Sequence, residues 1–219
     1  MFNHKVYVSI GILFLFCFFN ASAQNLKKVT RNPYRNTQEQ FQVLKENPKI
    51  KEGSYLLKID GIVYQEGSFK NNQRSGVWKI YKAKNVIDFT YDYDNQQIVF
   101  FNKDYFPNPQ DSLSRGPVYL GGLMYFNSCV FNSLEITIEM IEEMKGNHDY
   151  KAFVGFEVDS IGNPSNFEII LTSNNAKIDL SAISAIKIAS KSFPFLPGLE
   201  KGKPVDSRYI SPVTVTISL

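Results

Sequence analysis

Phe195-Leu196-Pro197-Gly198, Gly202-Lys203-Pro204-Val205 and Val213-Thr214-Val215-Thr216-Ile217-Ser218-Leu219 read in order as the exit of a helix, a turn and a strand. Strict alternation in the last of them offers Val213, Val215, Ile217 and Leu219 to a core and Thr214, Thr216 and Ser218 to the outside. No catalytic group is embedded in the run. Such a surface suits binding better than reaction.

The pattern upstream completes an α+β unit. Ala182, Ala185, Ile186 and Ala189 share a helical face, with Asp179 as its expected N-cap, Lys187 and Lys191 toward the carbonyl end and Pro194 as its stop. Before it, Ala152, Val154, Phe156 and Val158 alternate, as do Phe167, Ile169 and Leu171 after the turn Asp159-Ser160-Ile161-Gly162-Asn163, which predicts a hairpin. Val130, Leu134, Ile138 and Ile141 keep helical spacing, so a helix is expected from about Leu123 to Met144. The unit at 117–219 is thus two helices on a three-stranded antiparallel sheet, in the order α-β-β-α-β.

A stretch rich in Pro, Asn, Asp, Ser and Gly at 104–116 reads as a linker. Ahead of it, 48–103 consists of short alternating segments cut by glycine, with Asn71-Asn72 as a hairpin turn. Gly53-Ser54-Tyr55 returns as Gly67-Ser68-Phe69, the mark of a repeat sheet. Residues 24–47 read as a polar linker with one short helix-like stretch from Thr37 to Glu46, where Phe41 and Leu44 fall three apart.

Lys5, the apolar run Val6 to Phe19 and Ala21-Ser22-Ala23 make a secretory signal peptide over 1–23, with cleavage expected after Ala23. The apolar run is shorter than the roughly 20 residues that span a bilayer, so no stable membrane span is expected after cleavage. Loss of Lys5 leaves 23 basic against 21 acidic side chains, a balance that does not suit nucleic acid. Cys17 leaves with the leader, and Cys129 alone cannot form an internal disulfide.

Two resemblances follow from these residues. Gly67, Phe69, Lys70, Asn71, Gly76, Trp78 and Tyr81 resemble the G-x-[YF]-K-N-x-x-x-x-G-x-W-x-x-Y pattern of MORN-like repeats, which implies a β-repeat sheet. Pro117-Val118-Tyr119-Leu120-Gly121-Gly122, Val154 through Gly162, and Phe195-Leu196-Pro197-Gly198 through Gly202-Lys203-Pro204-Val205 to Pro212-Val213 are similar to the C-terminal domain of TonB, the periplasmic carrier of energy to outer-membrane transporters. Leu120 stands where that family's opening motif has its second proline, and Phe195 where the closing motif has tryptophan.

The resemblance implies a periplasmic or outer-envelope protein whose terminal strand, Tyr209 to Ile217, lies at a sheet edge and takes an extended segment of an envelope protein, such as an outer-membrane receptor or transporter. The residues expected to meet that partner are Pro117, Tyr119, Arg208, Tyr209, Ile210, Thr214 and Thr216. The repeat sheet or a second copy of the chain, giving a homodimer, is the other occupant that this edge admits. Two alternatives stay open: a membrane-anchored TonB-type energy transducer with an uncleaved first segment, and a carbohydrate- or lipid-binding repeat protein or small hydrolase.

Catalysis has little to build on. His148 is the single histidine after the leader, Cys129 falls inside a predicted helix, and no G-x-S-x-G is present. One Cys and one His do not make a zinc site. Asp88 to Asn95 lacks the glycine and distal glutamate of a calcium loop, and Gly121-Gly122 lacks the Lys-Ser/Thr of a phosphate loop. No cofactor, no metal and no enzymatic activity are expected. Trp78 and its tyrosines either stack on a ligand or brace the sheet.

Overall fold

The computed structural model describes residues 25–102, 114–144 and 148–217. The signal peptide read at 1–23 and residues 104–113 of the linker lie outside these. The fold is α+β and mostly antiparallel sheet.

Seven strands follow one another as an antiparallel meander: β1 (Leu26–Arg31), β2 (Thr37–Leu44), β3 (Lys51–Ile59), β4 (Ile62–Lys70), β5 (Gln73–Ala83), β6 (Val86–Asp92) and β7 (Gln97–Phe101). Asp60-Gly61 joins β3 to β4 and Asn71-Asn72 joins β4 to β5, with positive φ at all four residues. Two-residue turns of that kind match the twist of paired strands, and Asn, Asp and Gly tolerate the conformation best.

The stretch read as a polar linker, 24–47, contributes β1 and β2 instead. Thr37, Glu39, Phe41 and Val43 alternate as the buried side of β2. Two of these four are polar, which hides the period of two and leaves Phe41 and Leu44 to imitate a helix. Partners make their burial tolerable: Thr37 Oγ1 accepts from Tyr34 N (2.9 Å), and Glu39 accepts from Arg31 Nε (2.8 Å) and Tyr55 Oη (3.0 Å).

The rest of the chain forms β8 (Val118–Tyr119), α1 (Leu123–Ser133), α2 (Ile138–Glu143), β9 (His148–Val158), β10 (Pro164–Leu171), α3 (Ala176–Ser190), β11 (Phe195–Leu196), β12 (Gly198–Glu200), β13 (Lys203–Val205) and β14 (Ser207–Ile217). The helix expected from Leu123 to Met144 is broken over Leu134–Thr137. Ser181 Oγ accepts Glu135 N (2.9 Å), and Thr137 restarts the chain as the N-cap of α2 through Met140 N (3.3 Å).

Asn175, not Asp179, caps α3. Its Oδ1 accepts from Lys177 N (3.0 Å) and Ile178 N (3.2 Å), while Asp179 lies inside the first turn and holds Ser173 N (2.9 Å). Asn175→Ala is expected to cost about 1 kcal/mol of folding stability, read as a shift in the urea midpoint. Asn175→Asp should recover most of it.

β10, β9 and β14 form a three-stranded sheet in that order, with β9 in the middle. β11 pairs β8, and β12 pairs β13. The helices lie between the two larger sheets: α3 rests on β9 and β10, and α1 rests on α3 and reaches β3. One apolar cluster runs from Phe41, Leu57 and Trp78 of the meander through Phe126 of α1 to Val154, Phe156 and Ala185.

Polar and aromatic groups lock the layers together. Gln65 Nε2 donates to Gly121 O (2.6 Å), Ser128 Oγ to Asn36 Oδ1 (3.1 Å), and the Arg74 guanidinium lies 4.1 Å from the Phe193 ring centre.

Candidate functional site

β14 pairs residue for residue with β9 from Ser207 opposite Val158 to Ile217 opposite His148. No strand pairs its other side among the described residues. Ser211 and Val213 are buried, whereas Arg208, Ile210, Pro212, Thr214 and Thr216 are exposed.

Pro212 reports which main-chain groups face outward. Proline has no N–H to donate, so within a sheet it sits where that N–H would face away from the partner strand. N–H and C=O of one residue in an antiparallel ladder point to the same neighbour, and the direction alternates along the strand. Arg208, Ile210, Thr214 and Thr216 share the phase of Pro212. Their backbone groups therefore face the open side, with a missing donor at 212.

The predicted residues do not all come together. Arg208, Ile210, Thr214 and Thr216 come together on the outer face. Arg208 pairs with Glu168 of β10 across Gly155, where a Cβ would meet Arg208 Nε at 3.1 Å. Thr216 Oγ1 donates to Asp149 Oδ1 (2.8 Å), and Ile210 is 49% exposed.

Tyr209 turns the other way, its ring 5.1 Å from Phe156 and 5.5 Å from Phe195. Burial, followed by the charge of Asp88, pushes its hydroxyl up to about 12.

Tyr119 does not meet a partner as expected. It is 3% exposed, it donates to Ala189 O (3.0 Å), and its ring packs against Phe126, Phe193 and Phe195. Its place is in the core because β8 lies under the exit of α3. Pro117 lines a cavity of about 230 Å³ with Asp88, Phe89, Leu123 and Tyr209, apart from the exposed row of β14.

No family model, curated protein or solved structure matches this chain.

Trp78 is not available to a ligand: it is 1% exposed, with Tyr55, Phe69 and Tyr93 at 5.0–5.5 Å and its Nε1 donating to Ser68 O (3.1 Å). The aromatic rungs brace the sheet. Cys129 is fully buried, and burial pushes its thiol up despite hydrogen bonds with Tyr34, Ser192 and Tyr125; a thiol held that way is a poor nucleophile. Asp92 is spent on its own turn, accepting from Asp94 N (2.9 Å) and Asn95 Nδ2 (2.8 Å). Among the described residues, no helix is long and apolar enough to cross a membrane.

One residue of interest was hidden in the linker. Arg115 forms a two-way backbone bridge with Leu199 (2.9 and 2.8 Å), and its Nη1 donates to Gly116 O (3.0 Å) and Pro197 O (2.9 Å). Nothing local in Ser114-Arg115-Gly116 signals contacts made more than eighty positions away.

Proposed function

We propose that the protein is a binding module of the cell envelope that takes an extended segment of a partner protein as an added strand along β14. The single observation that carries this is the position of β14 as an end strand with its outward main-chain groups in one phase. Main-chain hydrogen bonds would supply the affinity and the alternating side chains the selection. The resemblance to the TonB C-terminal domain supports the same reading, with a MORN-like repeat sheet preceding it and an outer-membrane receptor or transporter as the partner class. The gap at Pro212 confines continuous pairing to the downstream half, from Val213 to Ile217. Natural edge strands carry proline to discourage indiscriminate pairing, so this gap narrows the set of partners.

Thr214→Pro tests the proposal. Its N–H faces the open side by parity with Pro212, so folding stability should change by less than about 1 kcal/mol. Partner recovered from envelope extract should fall at least tenfold, while Thr214→Ala, which keeps the N–H, should retain it. Equal recovery by Thr214→Pro and the unaltered protein would sink the proposal.

A further inference from the structure

Arg115 lines two neighbouring cavities, of about 230 and 420 Å³, and Phe101 lies between them as the other shared wall. The larger falls within the range of about 300–1,000 Å³ usual for small-molecule sites. Its walls are mainly apolar, with Ile98 and Phe100 from β7 facing Leu196, Pro197 and Leu199 from the β11–β12 segment. Arg115 is the sole charged side chain among its described lining residues.

The guanidinium is only partly satisfied. Both of its side-chain hydrogen bonds leave from Nη1, and Nε and Nη2 have no partner among the described residues. No carboxylate pairs with it among those residues, and burial alone lowers its pKa from the ordinary arginine value. An anion paired with a half-buried cation offsets part of the cost of burying it. The fork formed by Nε and Nη2 has the geometry that binds the two oxygens of a carboxylate. The larger cavity has no acidic side chain among its described lining residues, so it admits an anion beside Arg115.

We propose that this groove is a binding site for a small monocarboxylate with an apolar chain, its carboxylate on Arg115 and its chain along Leu196, Pro197 and Leu199. The assignment is independent of the open edge of β14. It concerns the seam between the meander and the β11–β12 segment, and it requires no partner strand.

Octanoate, octylammonium and 1-octanol, three probes of one chain length, separate charge from greasiness. Titrated into the full protein and followed by methyl resonances of Leu196, Leu199 and Ile98, octanoate should saturate and bind at least tenfold more tightly than either of the others. Arg115→Gln should remove that preference, and Arg115→Lys should keep part of it. Octanol binding as well as octanoate overturns the proposal. So does an undiminished preference in a folded Arg115→Gln variant. If that variant fails to fold, the methyl resonances of the unaltered protein decide: octanoate shifts confined to Leu196, Leu199 and Ile98 support the site, and shifts of equal size away from them overturn it.

Discussion

Trp78→Ala is expected to lower folding stability by about 3–5 kcal/mol, a large share of the roughly 5–15 kcal/mol that a domain has. The indole is 1% exposed and is held on several sides. Tyr55 lies 5.0 Å away, Phe69 5.4 Å and Tyr93 5.5 Å, and Nε1 donates to Ser68 O. Its face lies on the backbone of Gly67, where a Cβ would come within 2.3 Å of Cδ2 and 2.4 Å of Cε2. The neighbouring rings leave the indole nowhere to retreat.

A double-mutant cycle follows from that contact. Gly67→Ala alone should cost about 2–3 kcal/mol through overpacking. In the Trp78→Ala background the space is vacated, and the same change should cost under about 1 kcal/mol, an interaction energy of the size seen for residues in contact. Urea denaturation of the four proteins supplies the measurement. Additive losses would show that the ring and the glycine do not share the space.

How much was legible depended on whether each signal was local. Asn71-Asn72 and the glycines between the alternating segments carry the residue types that left-handed backbone demands, so the part of the meander from residue 48 onward could be read one hairpin at a time. The alternation Val213-Thr214-Val215-Thr216 likewise announced a strand with one covered face. β2 stayed hidden because its covered face includes Thr37 and Glu39, whose burial depends on Tyr34, Arg31 and Tyr55; apolar periodicity does not register a satisfied carboxylate.

The helix cap was misplaced for a similar reason. Asp179 and Asn175 are both acceptable caps by residue type, and only the backbone at Asn175, extended at φ −135°, selects between them.

The candidate site was legible as a strand from its own alternation, and as an edge only through the resemblance. Which side of β14 is open depends on its pairing with β9, some sixty residues away, and no composition rule reports that. Thr216 could be named from its phase along the strand and Arg208 only through the resemblance, yet their partners Asp149 and Glu168 belong to other strands. Tyr119 failed as a contact residue because its hydroxyl has an acceptor inside the core, the carbonyl of Ala189 at the end of α3. A buried tyrosine with a satisfied hydroxyl and a surface tyrosine look alike in a sequence.

The second large effect is expected at Gly162, in the hairpin between β9 and β10. Its φ is +95°, and a Cβ built there would lie 2.2 Å from the carbonyl oxygen of Phe195. The conformation alone costs a residue with a Cβ about 1–2 kcal/mol, and the collision is with backbone, which cannot swing aside as a long side chain can.

The turn is also held in place. Asp159 Oδ1 accepts from Ile161 N (3.0 Å) and Asn163 N (2.8 Å), and Ser160 N donates to Asp206 Oδ1 (2.7 Å). Either the turn loses these bonds or Phe195 moves. Phe195 stands in contact with Tyr119, Phe126, Phe156 and Tyr209, so its displacement would loosen the inner face of β14 as well.

Gly162→Ala should therefore cost on the order of 3 kcal/mol and shift the near-ultraviolet circular dichroism of the aromatic cluster. Ile161→Ala, at a neighbour 79% exposed, should change stability by under about 0.5 kcal/mol. Equal urea midpoints for the two variants would mean that the turn does not press on Phe195, and the coupling drawn between this hairpin and the edge strand would go with it.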